Sequence, residues 1–220
     1  MNRSAVFWAI WLSFIGYAFV FAPPDQPDTF PLIQRLSTGQ WDDINPLIVG
    51  LFNIMGIWPL IYGALMVTDG YGQRVMAWPF AIASFALGAF AVLPYLALRQ
   101  PNPTGIDQPN QLVRIVNSRW FGGAIALGAV GFFAYGLMAG DWGEFAEQWQ
   151  QSRFIHVMSL DFCMLCVLVG SLLGDDMARR GLGDRRIFWA VILIPLFGIV
   201  AYLCLRPPLS AQSEPISTPV

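Results

Sequence analysis

Long apolar runs alternate with short polar stretches along the whole chain. Six runs, at about 5–22, 46–67, 76–98, 120–138, 154–173 and 187–205, are long enough to read as bilayer-crossing helices. A hydrocarbon core of roughly 30 Å needs about 20 apolar residues in a helix. Lipid offers no partner to backbone N–H and C=O groups, so each run must be helical. The pattern predicts an all-α fold, a polytopic membrane helix bundle with six transmembrane helices. Residues 1–220 form one integral membrane domain, with a polar tail over 206–220. Pro59, Pro79 and Pro94 lie inside runs and predict kinks. Arg3 before an apolar run resembles the start of a signal peptide. Pro23 and Pro24 spoil the cleavage context after Val20 and Ala22, so the run reads as a retained span.

Composition strengthens the membrane reading. The 220 residues are 56% hydrophobic and 12% charged, against about 25% charged in a soluble domain. The bilayer is therefore the expected solvent and first partner. Net charge is −2, and all 12 basic residues are arginine with no long basic run. That excludes nucleic acid as a partner, and the lack of lysine excludes Schiff-base chemistry. The three cysteines, Cys163, Cys166 and Cys204, lie in apolar runs and do not report the redox compartment.

Six crossings put both termini on one side. The loops after spans one, three and five hold Arg35, Arg99, Arg114, Arg119, Arg179, Arg180, Arg185 and Arg186. The other side holds Arg3, Arg74, Arg153 and Arg206. The excess of positive charge in cytoplasmic loops then predicts that the first set is cytoplasmic or stromal and the termini opposite. Arg3 argues against that orientation.

Two loops carry amphipathic patterns. In "GDWGEFAEQWQQSR", Asp141 followed by Glu144 resembles a helix N-terminal capping box. Trp142, Phe145 and Trp149 then share a face, which predicts a short helix in the membrane interface, an aromatic anchor or a docking surface. "NQLVRIVNSRW" is a weaker stretch of the same kind.

The fifth run holds most of the candidate chemistry. His156, Ser159, Cys163, Cys166 and Gly170 fall on one stripe. Small, weakly polar residues on such a stripe favour close helix packing. The alternative is a thiol–disulfide pair, but apolar burial raises a thiol pKa and no shuttle cysteines exist. One His and two Cys fall short of a zinc set, so no metal site is expected. Asp161 lies roughly 10 Å into the span at 1.5 Å per residue. It should face the bundle, with Asn53 as its expected partner, either tying two helices together or serving proton or ion coupling. His156 reads as an interfacial histidine, with axial ligation of a pigment as the alternative. No other cofactor and no catalytic residue are expected.

The cluster "GDDMARRGLGDRR", with Asp175, Asp176, Arg179 and Arg180, reads as a solvated loop anchoring a helix end. "DGYGQR" resembles the first half of the CDP-alcohol phosphatidyltransferase signature. The carboxylates of the second half are missing, so a two-metal site cannot assemble. An internal echo pairs Asp69 and Arg74 with Asp175 and Arg180. At an offset one residue longer it pairs Tyr95 and Arg99 with Tyr202 and Arg206. A true repeat would make two three-helix halves, the second inverted. The same residue types also recur at helix ends for membrane reasons alone.

Taken together, "NIMGIWPLIYGALMVTDGYGQR", "AWPF…LPYLALRQPNP" and "SRFIHVMSLDFCMLC…GDDMARRG" resemble a family of uncharacterised multispanning membrane proteins of cyanobacteria and plastids. The resemblance covers about 45–208 and implies a thylakoid or cyanobacterial plasma membrane, with no catalytic residues. Two functions are carried forward. One is a non-enzymatic assembly, stability or regulatory factor with a membrane-protein partner, within a larger membrane complex, a photosynthetic complex being one candidate. The other is a small transporter or channel-like protein using Asp161 and Asn53.

Overall fold

The computed structural model describes residues 2–103, 106 and 109–209, and among them all regular structure is helical. The polar tail beyond Leu209 lies outside the described residues. Four helical segments are long and apolar enough to cross a membrane: Arg3–Phe21, Pro46–Asp69, Arg119–Ala139 and Arg153–Arg179. The first is α1 (Arg3–Gly16) continued by a π-helical turn, Tyr17–Phe21. The second is α3 (Pro46–Asp69), which follows the short α2 (Thr29–Thr38). The third is α7 (Arg119–Ala139). The fourth is α9 (Arg153–Leu168) running into α10 (Gly170–Arg179).

Helix α3 is the centre of the bundle. Asn45 caps it by accepting from the Leu47 N–H, and Pro46 occupies the first turn, where no N–H is needed. It is apolar all round, as suits a helix surrounded by others on most sides, and Trp58, Ile61, Tyr62, Leu65 and Met66 are completely buried. Glycines let α7 approach closely. A Cβ on Gly50 would stand 2.8 Å from the Phe132 carbonyl oxygen and 3.3 Å from Gly136 Cα. This is the small-residue packing that replaces hydrophobic driving force between helices in lipid. The outer face of α7 is left bare, with Trp120 90% and Met138 88% exposed.

The expected third and sixth spans do not run end to end. Residues 76–98 form α4 (Trp78–Leu87) and α5 (Ala89–Leu98), separated by Gly88 at φ 51°, ψ −128°. That conformation belongs almost only to glycine. A straight helix over 78–98 would be about 31 Å long. Instead both of its ends meet the turn after α3. A Cβ on Gly70 would lie 2.7 Å from Ala77 Cβ, while Arg99 binds Asp69 and Gln100 pairs with Gln73. The segment is thus a helical hairpin. Pro79 sits in the first turn of α4, and the break falls at Gly88, not at a proline.

Residues 187–205 repeat this design. The arms are α11 (Arg185–Leu193) and α12 (Phe197–Leu205), separated by Ile194, Pro195 and Leu196, with Leu196 at φ 61°. The Leu182 N–H returns to the Met177 carbonyl at 2.9 Å before the hairpin. After it, Arg206 reaches Asp176 and Arg180 bonds the Pro207 carbonyl at 2.6 Å. Both ends of the second hairpin therefore sit at the end of α10.

The bundle has two distinct ends. At one, α3 and α10 finish together, joined by Arg179 and Asp69. At the other, α1 and α7 finish where α3 and α9 begin. Asn45 Nδ2 donates to the Asp141 carbonyl at 2.7 Å, and Arg153 Nε donates to the Pro23 carbonyl at 3.0 Å. Here the expected interfacial helix forms as α8 (Trp142–Gln151). Asp141 caps it, accepting from the Gly143 and Glu144 N–H groups. The stretch before α7 forms α6 (Gln111–Val116).

Candidate functional site: paired carboxylates at one end of the bundle

Asp69 is the last residue of α3, and Asp176 lies in the last turn of α10. A carboxylate there faces the negative end of the helix dipole, and both are buried, at 1% and 0% exposure. Each needs cations and donors, and each is served in the same way.

Asp69 accepts from Arg99 through Nε at 2.7 Å and Nη2 at 2.6 Å, from the Tyr95 hydroxyl at 2.6 Å, and from Gln73 Nε2 at 3.0 Å. Asp176 accepts from Arg180 Nε at 2.8 Å, from the Tyr202 hydroxyl at 2.6 Å, and from Arg206 Nη1 at 3.3 Å. In each set the tyrosine is 26 and the arginine 30 residues after the aspartate. Tyrosine and arginine both come from the returning arm of a hairpin, at α5 and α12. The sets are cross-linked. Arg179 donates Nη2 to Asp69 at 2.8 Å and holds Asp176 at 3.9 Å. Arg99 also pairs with Asp175 and donates to the Ser171 carbonyl at 3.0 Å.

The outcome is a nearly dry network of Asp69, Asp175 and Asp176 with Arg99, Arg179, Arg180 and Arg206. Burial alone would pull the Arg99 pKa down, but Asp69 and Asp175 outweigh it and hold the guanidinium above its ordinary value. For Arg206 burial wins, and the like charge of Arg180 adds to it, so its pKa is drawn down despite Asp176. Removing one partner from such a buried set leaves a stranded charge, which costs far more than the set contributes net. The network therefore fastens both hairpins and both long helices at one end.

The sequence-derived candidates are dispersed across the bundle. Asp175, Asp176, Arg179 and Arg180 do cluster, but as the centre of this buried network, not as a solvated loop. Asp161 and Asn53 do not meet. Asn53 Nδ2 bonds its own helix at the Val49 carbonyl, 2.8 Å. Asp161 Oδ1 instead accepts from the Ala89 N–H at 2.8 Å, capping the start of α5 at the hairpin tip. A helix N-terminus is where a carboxylate is most at home. Packing is close enough that a Cβ on Gly88 would run into the Asp161 carboxylate.

His156 is buried at the opposite end of the bundle. Nδ1 is 3.0 Å from the Trp149 carbonyl and Nε2 is 2.8 Å from the Tyr17 hydroxyl. The carbonyl can only accept, so Nδ1 carries a proton, and in the neutral ring the tyrosine donates to Nε2. With both nitrogens engaged, neither is free to ligate a pigment in this arrangement. Cys163 and Cys166 are free thiols, the first exposed and the second partly buried. Among the described residues, no group of three or more His, Cys, Asp or Glu could hold a metal ion.

Sequence reasoning missed Gln73, Tyr17 and the role of Gly88. It met Asp69, Tyr95, Arg99, Tyr202 and Arg206 only as an echo, and paired Asp69 with Asp175. The geometry pairs Asp69 with Asp176, which puts this pair at the same offset of 107 residues as Tyr95 with Tyr202 and Arg99 with Arg206, and sets Gln73 in place of Arg74 opposite Arg180.

No protein-family model matches the chain, and no curated protein or solved structure matches it.

Proposed function

We propose that the chain is a non-enzymatic integral membrane protein that helps assemble, stabilise or regulate a larger membrane complex. The observation that carries this reading is Asp161. This acid, near the middle of the long helix α9–α10, is spent on capping a hairpin tip, 5% exposed and tightly packed against Gly88. Exposed Trp142 on α8 and the bare face of α7 offer surface for a membrane-protein partner. By the resemblance noted above, the membrane is a thylakoid or cyanobacterial plasma membrane.

In this reading the chain crosses the bilayer four times, and each hairpin enters and leaves on one side. A ten-residue arm reaches about 15 Å, half of a roughly 30 Å core. The two halves then form a parallel repeat, each with two crossings and a re-entrant hairpin. This replaces the inverted arrangement, because the paired carboxylates meet at one end. Arginine placement supports the topology. Arg3, Arg74, Arg99, Arg114, Arg119, Arg179, Arg180, Arg185, Arg186 and Arg206 belong to the carboxylate end, and Arg35 and Arg153 to the other. Ten against two favours a cytoplasmic or stromal side for the carboxylate end and both termini. Arg3 no longer dissents.

A second reading, a small transporter, is favoured by one observation. Half-helices whose N-termini point to the middle of a bundle are the usual build of transporter sites, and α5 and α12 have that form. Asp161→Asn separates the two. The amide oxygen still accepts from Ala89, so the scaffold reading expects unchanged accumulation and partner retention in mild detergent. Loss of pH-dependent flux in proteoliposomes on that substitution, with folding intact, favours the transporter.

A further inference from the structure

A second cluster of arginines lies beside the buried network and takes no part in it. A cavity of about 350 Å³ is lined by Arg114, Asn117, Arg119 and Arg206, with Val113 and Pro208 as apolar wall. Liquid water takes about 30 Å³ per molecule, so the space exceeds what a few bridging waters fill. Among the described residues no carboxylate lines it. Arg114 is exposed and has one bond, from Nε to the Pro109 carbonyl at 3.1 Å. Arg119 is exposed, its side chain makes no hydrogen bond or ion pair among the described residues, and it stands at the first turn of α7. Arg206 is buried, spends Nη1 on Asp176 and Nη2 on the Val116 carbonyl, and leaves Nε without a partner.

We infer that this cavity binds the phosphate group of an anionic phospholipid. The guanidinium groups of Arg114 and Arg119, which have no ion-pair partner among the described residues, and the unpartnered Nε of Arg206 fit a phosphate, which arginine recognises through paired N–H donors. The height is that of a headgroup. Arg119 begins a helix long enough to cross the membrane, and its neighbour Trp120 is 90% exposed, as aromatic residues are at the lipid–water boundary. Basic pockets between helices on the cytoplasmic side are how membrane proteins hold such headgroups. The inference rests on the four-crossing placement above and is independent of whether the chain scaffolds or transports.

The test is native mass spectrometry of the full chain in mild detergent, titrated with phosphatidylglycerol or phosphatidylcholine. The wild type should retain phosphatidylglycerol at least tenfold better. The double variant R114A/R119A should lose that preference. R185A/R186A, which removes equal charge from the same end outside the cavity, should keep it. R119Q serves as a milder variant should the double one not remain monodisperse, and should lower retention severalfold. Millimolar inorganic phosphate distinguishes sources: no displacement marks a lipid site, and full displacement marks a site for free phosphate and overturns the lipid assignment. Equal loss in R114A/R119A and R185A/R186A, or no loss in the first, would also overturn it. Because neither double variant touches Asp161 or α8, failure here leaves the proposed function untested by it.

Discussion

The two hairpins answer one requirement with different residues. In the first, the buried carboxylate Asp69 takes a neutral fourth donor, Gln73, and borrows the cation Arg179 from the other half. In the second, the matching position is Arg180, so Asp176 is neutralised within its own half. The tips differ as well. The first turns at Gly88 and is capped by the Asp161 carboxylate. The second turns at Leu196, a non-glycine residue at φ 61°, after Pro195. What persists is the tether, an aspartate at a helix end seized by a tyrosine and an arginine from the returning arm. What varies is the turn, where several local solutions serve.

The comparison is broken hardest at the carboxylates. Asp69→Ala leaves Arg99 with Asp175 alone and Arg179 with only its 3.9 Å contact to Asp176, and Asp176→Ala strands Arg180 and Arg206. Each should cost about 3–5 kcal/mol, the range for removing one partner of a buried charged pair. Detergent thermal-shift and accumulation measurements would read this. Because Arg179 and Arg99 link the sets, the double variant should lose less than the sum. Additivity would mean the two sets are independent.

Next come the hydroxyls. Tyr95→Phe and Tyr202→Phe each delete one hydrogen bond to a charged group, worth about 1.5–3 kcal/mol, and the two losses should agree closely. A large asymmetry in thermal stability would argue against equivalent tethers. At the tips the halves should diverge. Gly88→Ala forces a residue into a glycine-only conformation, about 1–3 kcal/mol, and pushes on Asp161. Cys166→Ala, on the same long helix, should leave the melting temperature nearly unchanged. Asp161→Asn keeps the acceptor but exchanges a charged one for a neutral one, so it should cost about 1 kcal/mol by the same hydrogen-bond scale.

Much of the helix content was legible, because apolar runs with polar borders carry the four long helices directly. Asp141 and Glu144 likewise announced α8. The hairpins were not legible as such. A run of twenty-odd apolar residues reads as one crossing by length alone, and Pro79 and Pro94 drew attention that belonged to Gly88. Only the return of Arg99 to Asp69 reveals the reversal, and that is a contact between distant residues. The doublet Asp175–Asp176 hid the true register of the repeat, since either aspartate continues the pattern within one residue. Asp161 was recognised as costly inside lipid, but its partner is a backbone N–H, which no residue type can advertise.

The reversal of residues 78–98 is tested most directly by labelling single cysteines, on a background free of the three native ones, with a membrane-impermeant maleimide. Arg74→Cys and Gln111→Cys flank the first hairpin at exposed positions. Both should react from the same side of sealed vesicles, with Glu147→Cys reacting only from the other. Labelling of positions 74 and 111 from opposite sides would show a full crossing between them and contradict the account.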